Sequence, residues 1–167
     1  MRLSFWGALF ISAVPLFSQS ELSGIQLLES PTDIRHVLGE PTLVSEVNPE
    51  FRAWQYRLGD IDHDDFSHAL IFRKSTNNLV SISRTFEHPV NVEKLFAASP
   101  STYYRYPEAG PTEMIVRVRR LGQERLLLAF GSAKQGDLTT QVVLIEQSVL
   151  RVFYPWLADQ LKATDQK

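Results

Sequence analysis

The sequence predicts an α+β fold: an antiparallel sheet with short helices packed on one face. Three observations point there. One short segment carries a complete set of helix start and stop signals. Several segments alternate apolar and polar residues at the two-residue period of a half-buried strand. The order helix, strand, strand, strand occurs twice, so the chain also reads as two such units in tandem, residues 21–88 and 89–167.

The chain opens "MRLSFWGALFISAVPLFSQSELSG". Arg2 precedes an apolar run from Leu3 to Phe17, and Ser18 and Ser20 are small residues at the −3 and −1 positions of a cleavage site after Ser20. That order is the pattern of a secretory signal peptide, and the run is shorter than the roughly 20 residues a bilayer span needs. The mature chain is then expected to begin at Glu21, as a single α+β domain over residues 21–167, exported to the periplasm or secreted. Removing Arg2 from 17 basic residues leaves 16 against 19 acidic ones. No later apolar run is long enough to span a membrane.

The first element is "SPTDIRHVLGEP". Ser30 suits the N-cap, Pro31 the first helical position and Asp33 the first turn. Ile34, Val37 and Leu38 form one apolar face, and Gly39 and Pro41 end the helix. In "FRAWQYRL", Trp54, Tyr56 and Leu58 share one strand face, with Ala53, Gln55 and Arg57 on the other. "HALIFRK" is a second strand, closed by the turn pair Asn77-Asn78. In "LVSISRTF", Val80, Ile82 and Phe86 alternate with Ser81, Ser83 and Thr85, as for a sheet with one face in water.

Asn91 caps a short helix expected over 92–98. A connector with Pro100, Pro107 and Pro111 follows, then "MIVRVRRL", a turn at Gly122, "RLLLAFGS", the polar loop "AKQGDLTT" and "QVVLIEQ". Leu126 to Phe130 and Val142 to Ile145 are apolar on both faces, the pattern of central strands covered twice. Leu150, Phe153, Tyr154, Leu157 and Leu161 form a helical stripe that Pro155 starts or kinks, since proline disfavours helix in the residue before it.

The composition excludes several chemistries. Without cysteine there is no disulfide framework, thiolate metal site, cysteine nucleophile or lipid-bearing N-terminal cysteine. A formal charge of −2 gives no general electrostatic case for nucleic acid. There is no G-x-S-x-G elbow, and "GSAKQGD" lacks the P-loop order. Each of the four histidines (His36, His63, His68, His88) is expected on the surface.

"DIDHDDFSH", residues 60–68, is the densest titratable stretch. Asp60, Asp62 and Asp64 match positions 1, 3 and 5 of a calcium loop, but Asp65 and Ile71 stand where glycine and glutamate are needed. His63 and His68, five apart, suit neither one helix face nor one strand face for zinc. The stretch reads as a solvated connection between strands, with Asp60, Asp62, His63, Asp64 and His68 as the metal-binding alternative.

Two groups point to a protein partner. Tyr103, Tyr104, Arg105 and Tyr106 sit in a connector between prolines, and Tyr and Arg are favoured at binding hot spots. Arg117 and Arg119 are expected on the outer face of their strand, beside Arg120 and Arg125, as a basic ribbon for an acidic partner or an anionic lipid headgroup. A small-ligand alternative is an apolar pocket lined by Trp54, Tyr56 and Trp156.

The step Leu38-Gly39-Glu40-Pro41, followed by a strand with Trp54-Gln55-Tyr56 and two more strands, resembles the SmpA/OmlA-type envelope domain over Pro31 to Phe86. A related tandem arrangement occurs in secreted β-lactamase-inhibitor-like proteins. The sequence departs from that pattern in having no cysteine to lipidate and one helix, not two, before the first strand. The resemblance implies protein binding in the cell envelope, without enzymatic activity and without catalytic residues. The expected protein is thus exported, non-enzymatic and cofactor-free, binding a protein and no nucleic acid.

Overall fold

The computed structural model describes residues 21–22, 25–58, 66–91, 96, 101–106 and 114–165. Residues 1–20, expected to be a leader, and the acidic stretch 60–65 lie outside the described residues.

A two-stranded ribbon, β1 (Glu21–Leu22) and β2 (Ile25–Gln26), precedes the helix α1 (Pro31–Leu38). Ser30 and Asp33 cap each other's backbone N–H groups in a capping box, with Ser30 Oγ accepting from Asp33 N–H at 3.3 Å. Gly39, at φ +76°, ends the helix and donates to the Arg35 carbonyl at 2.9 Å, a left-handed conformation that glycine adopts without cost. Ile34 is buried, whereas Val37, expected on the same apolar face, is exposed.

Eight strands follow: β3 (Leu43–Glu46), β4 (Phe51–Leu58), β5 (Phe66–Arg73), β6 (Asn78–Asn91), β7 (Thr102–Arg105), β8 (Met114–Leu121), β9 (Arg125–Ser132) and β10 (Leu138–Glu146). They form one antiparallel sheet in the order β3-β4-β5-β6-β10-β9-β8-β7. β6 and β10 meet in its centre, with Ile82 beside Leu144 and Ser83 beside Val143. A short α2 (Leu150–Phe153) and α3 (Pro155–Asp165) close the chain. Tyr154 (φ −136°, ψ 64°) separates them, as Pro155 requires of the residue before it.

Both faces of the sheet carry a core. On one, Ile34 of α1 packs with Trp54, Leu70, Phe72 and Ile82; Phe96, the one described helical residue of 92–98, joins them. On the other, Leu157 and Leu161 of α3 pack with Val116, Leu126, Leu128 and Ile145. Leu126 and Leu128 thus face α3 while Ala129 and Leu127 face α1, as their double-sided apolar run predicts.

This arrangement corrects the expected fold class. The described residues are predominantly β, one continuous eight-stranded antiparallel sheet with short helices, α1, α2 and α3 among them, rather than tandem helix-strand-strand-strand units. The helices lie on opposite faces, not one. Nor does the sheet leave one face in water: a register shift opposite Ile71/Phe72 makes Val80 an extra residue, so Val80 joins the α3-side core while Leu79 and Ile82 join the α1-side core. The tyrosine connector is the edge strand β7. Among the described residues, no helix is long and apolar enough to cross a membrane.

Candidate protein-binding edge

The residues expected to meet a partner fall at the β7 edge but do not form one surface. Tyr104 is buried in the α3-side core beside Val116. Tyr106 packs edge-on against Trp156 with ring centroids 5.1 Å apart, and the Arg105 carbonyl accepts from Gln160 Nε2 at 3.0 Å. Arg119 faces the α1 side and is only 6% exposed, so it is no part of an outward ribbon. Arg120 faces the other way, and its Nη2 donates to both carboxylate oxygens of Asp165 of α3 at 2.8 and 2.7 Å. Arg125 lines a depression of about 380 Å³ with Leu28, Glu124, Glu146 and Ser148 at the opposite end of the strands.

Tyr103 and Arg117 do come together. They are cross-strand partners of β7 and β8, on the α1 side of the sheet. The Arg117 guanidinium lies 5.2 Å from the Tyr103 ring centroid and 5.2 Å from that of Phe96, between two aromatic faces. Its Nε donates to Ser101 Oγ at 2.8 Å, and its terminal nitrogen pairs with Asp137 Oδ1 at 3.3 Å. The Tyr103 hydroxyl donates to the same oxygen at 2.9 Å. Tyr103 nevertheless remains 49% exposed, and Leu138 beside Asp137 is also exposed.

Asp137 reaches this place because the β9–β10 connection folds over the sheet. A Cβ added to Gly131 would lie 2.4 Å from the Leu138 carbonyl oxygen, closer than any side chain permits. The register of β10 shifts between Thr139 and Gln141, and the Thr139 hydroxyl binds the carbonyls of Phe130 and Gln141. The glycine therefore lets Gly136-Asp137-Leu138 descend onto Tyr103 and Arg117. The cleft left between them is water-sized, about 10 Å³. Such an arrangement holds an aromatic ring at the surface with its polar atoms already engaged.

Asp137, Ser101, Phe96 and Gly131 were not legible as site residues. Asp137 stands in a Gly-Asp turn signal that reads as an ordinary loop, and its partners lie on strands far away in sequence.

The other candidates separate. Trp54 and Tyr56 belong to the α1-side core and Trp156 packs against the α3-side core, so the three line no common pocket. Asp60, Asp62, His63 and Asp64 lie outside the described residues, and among the described residues no group of three or more His, Cys, Asp or Glu side chains is placed to hold a metal ion. His68 is a correction: it is buried, 1% exposed, in the row Tyr56–His68–Arg84 across β4, β5 and β6. Burial, with a smaller contribution from the Arg84 charge, lowers its pKa from 6.5 to about 4. Period-two counting from Trp54 through its cross-strand partners places His68 on the core face, but that needs the register.

No protein-family model matches the sequence. No curated protein matches it either. Similar solved structures include an extracellular protein containing an SCP domain from Bacillus anthracis str. Ames, with a TM-score of 0.52 and 9% identity over 74% of this chain. A cysteine-rich secretory protein from Staphylococcus aureus subsp. aureus Mu50 superposes with a TM-score of 0.50 and 8% identity, also over 74% of this chain. The chain spans 45% and 46% of their lengths. At such identities the likeness is one of fold.

Proposed function

We propose that the protein is exported and acts without catalysis, by holding a protein partner against the β7 edge. The observation that carries this reading is Tyr103: a half-exposed aromatic ring, fixed at its hydroxyl by Asp137 and at its face by Arg117. An exposed ring that is already immobilised loses little conformational entropy on binding, which is what makes tyrosine an effective interface anchor. Leu138 extends the apolar area and Arg117 and Asp137 supply a polar rim. Export rests on the leader of residues 1–20, and the fold's occurrence in extracellular and secretory chains supports it. The envelope role implied by the SmpA/OmlA-type resemblance belongs to the same reading.

The test is site-directed photocrosslinking in the producing cell, with the probe at Leu138. A specific adduct is expected that disappears with Tyr103→Ala and persists with Val152→Ala, a change at an exposed residue of α2. Equal adduct from both variants, with unchanged thermal unfolding, removes the β7 edge from the binding surface. N-terminal sequencing of the exported protein checks the leader, with Glu21 as the expected first residue.

A further inference from the structure

The opposite edge of the sheet, β3, is apolar and bare. Leu43, Val44 and Val47 are 51%, 54% and 44% exposed, three of the largest exposed apolar side chains among the described residues. Its one charge, Glu46, is ion-paired with Lys74. The segment is short and carries one charge, but it has no lysine, no internal proline and no register shift in its pairing with β4, three of the devices by which edge strands avoid pairing with another chain.

The hydrogen bonds define which backbone groups are available. Val47 N–H donates to the Phe51 carbonyl at 3.0 Å, and β3 pairs with β4 at Leu43–Gln55 and Ser45–Ala53. By antiparallel alternation the backbones of Leu43, Ser45 and Val47 turn toward β4, and those of Val44 and Glu46 turn outward. No described strand lies on that outer side.

We propose that β3 pairs with β3 of a second copy of this chain, antiparallel about a two-fold axis at Ser45. Three two-fold registers would match outward-facing residues. Val44 on Val44 would require Glu46 to pair with Thr42, whose N–H already donates to the Gln55 carbonyl at 2.8 Å. Glu46 on Glu46 would oppose like charges and call on Asn48, whose N–H is directed to the Phe51 carbonyl at 3.3 Å. Val44 on Glu46 uses only open groups: both residues of each copy donate and accept, and the ladder closes symmetrically. The same register sets Leu43 of one copy against Val47 of the other, twice, and places only the small Ser45 on the axis. A surface complementary to itself is what an isologous dimer needs. The two eight-stranded sheets become one, with the Tyr103 edges at its far ends, so the inference stands independently of the proposed partner site.

Analytical ultracentrifugation of the mature chain across a wide concentration range tests it, together with two variants. The native chain is expected to dimerise. Val44→Pro removes an N–H that the single copy does not use and should yield a monomer with unchanged thermal unfolding. Ser45→Cys, in a chain without other cysteines, should oxidise to a disulfide-linked dimer, because a non-hydrogen-bonded pair brings Cα atoms to about 4.5 Å, within the range a disulfide spans. A native chain that stays monomeric overturns the proposal. So does a dimer that survives Val44→Pro and leaves Ser45→Cys uncrosslinked.

Discussion

Acidification should destabilise this protein through His68, and substituting that residue isolates the effect. The imidazole is 1% exposed, and its pKa lies at about 4 in the folded protein against 6.5 for an ordinary histidine. The folded value is the lower one, so the unfolded chain takes up the proton first. The contribution to stability is therefore complete above about pH 6.5, drains away as pH falls, and levels off below about pH 4. Proton linkage between those two values gives a loss of about 2 kcal/mol between pH 7.5 and pH 5, equivalent to about 6 °C in Tm for a chain of this size. The assay is urea unfolding of the native chain and of His68→Gln at both pH values, each compared with itself. Carboxylates titrate alike in the two proteins and cancel. The native chain should lose about 2 kcal/mol more than the variant. An equal loss in both would mean that His68 takes up its proton in the folded state at an ordinary pH, and the burial argument would fail.

Two further outcomes follow from the structure and a third from the sequence. Gly131→Ala should cost about 2 kcal/mol of stability in urea unfolding, because its Cβ meets a backbone oxygen that can retreat only with the Asp137 loop; an unchanged midpoint would show that the loop yields freely. Ser30→Ala should cost about 1 kcal/mol through loss of the α1 cap, read in the same experiment, and a neutral change would mean the capping box does not act in solution. Zinc or calcium added to the EDTA-treated mature chain should leave Tm unchanged; a saturable rise, lost on Asp62→Ala with His63→Ala, would make residues 60–68 a metal site after all.

Local interactions made the helix α1, the Tyr154–Pro155 break and the doubly apolar strands β9 and β10 legible from the sequence. Ser30, Asp33 and Gly39 act on backbone groups within a turn of themselves, and Pro155 acts on its neighbour. Alternation also marked β4 and β6, since period two is a property of the strand itself. The short strands β3 and β7 carry too few residues for a period to show, and β7 was hidden by its tyrosines and flanking prolines. The expectation of short helices on one face failed because both faces of the sheet present apolar side chains, one to α1 and the other to α3, and the bulge that turns Val80 to the α3 side depends on pairing with Phe72.

By itself, then, the sequence determined a capped first helix, a proline-split C-terminal one, mostly antiparallel strands, and a leader-like start without any cysteine chemistry. Only the tertiary structure decided which residues meet. His68 became buried because β4 and β6 flank it in register, Arg119 because its side of β8 faces the core, and Asp137 became a partner of Tyr103 and Arg117 because Gly131 admits the chain above it. The physical reason is the same each time: capping and turns depend on atoms a few bonds away, whereas the face a strand buries and the groups at a sheet's edge depend on hydrogen bonds to strands far along the chain.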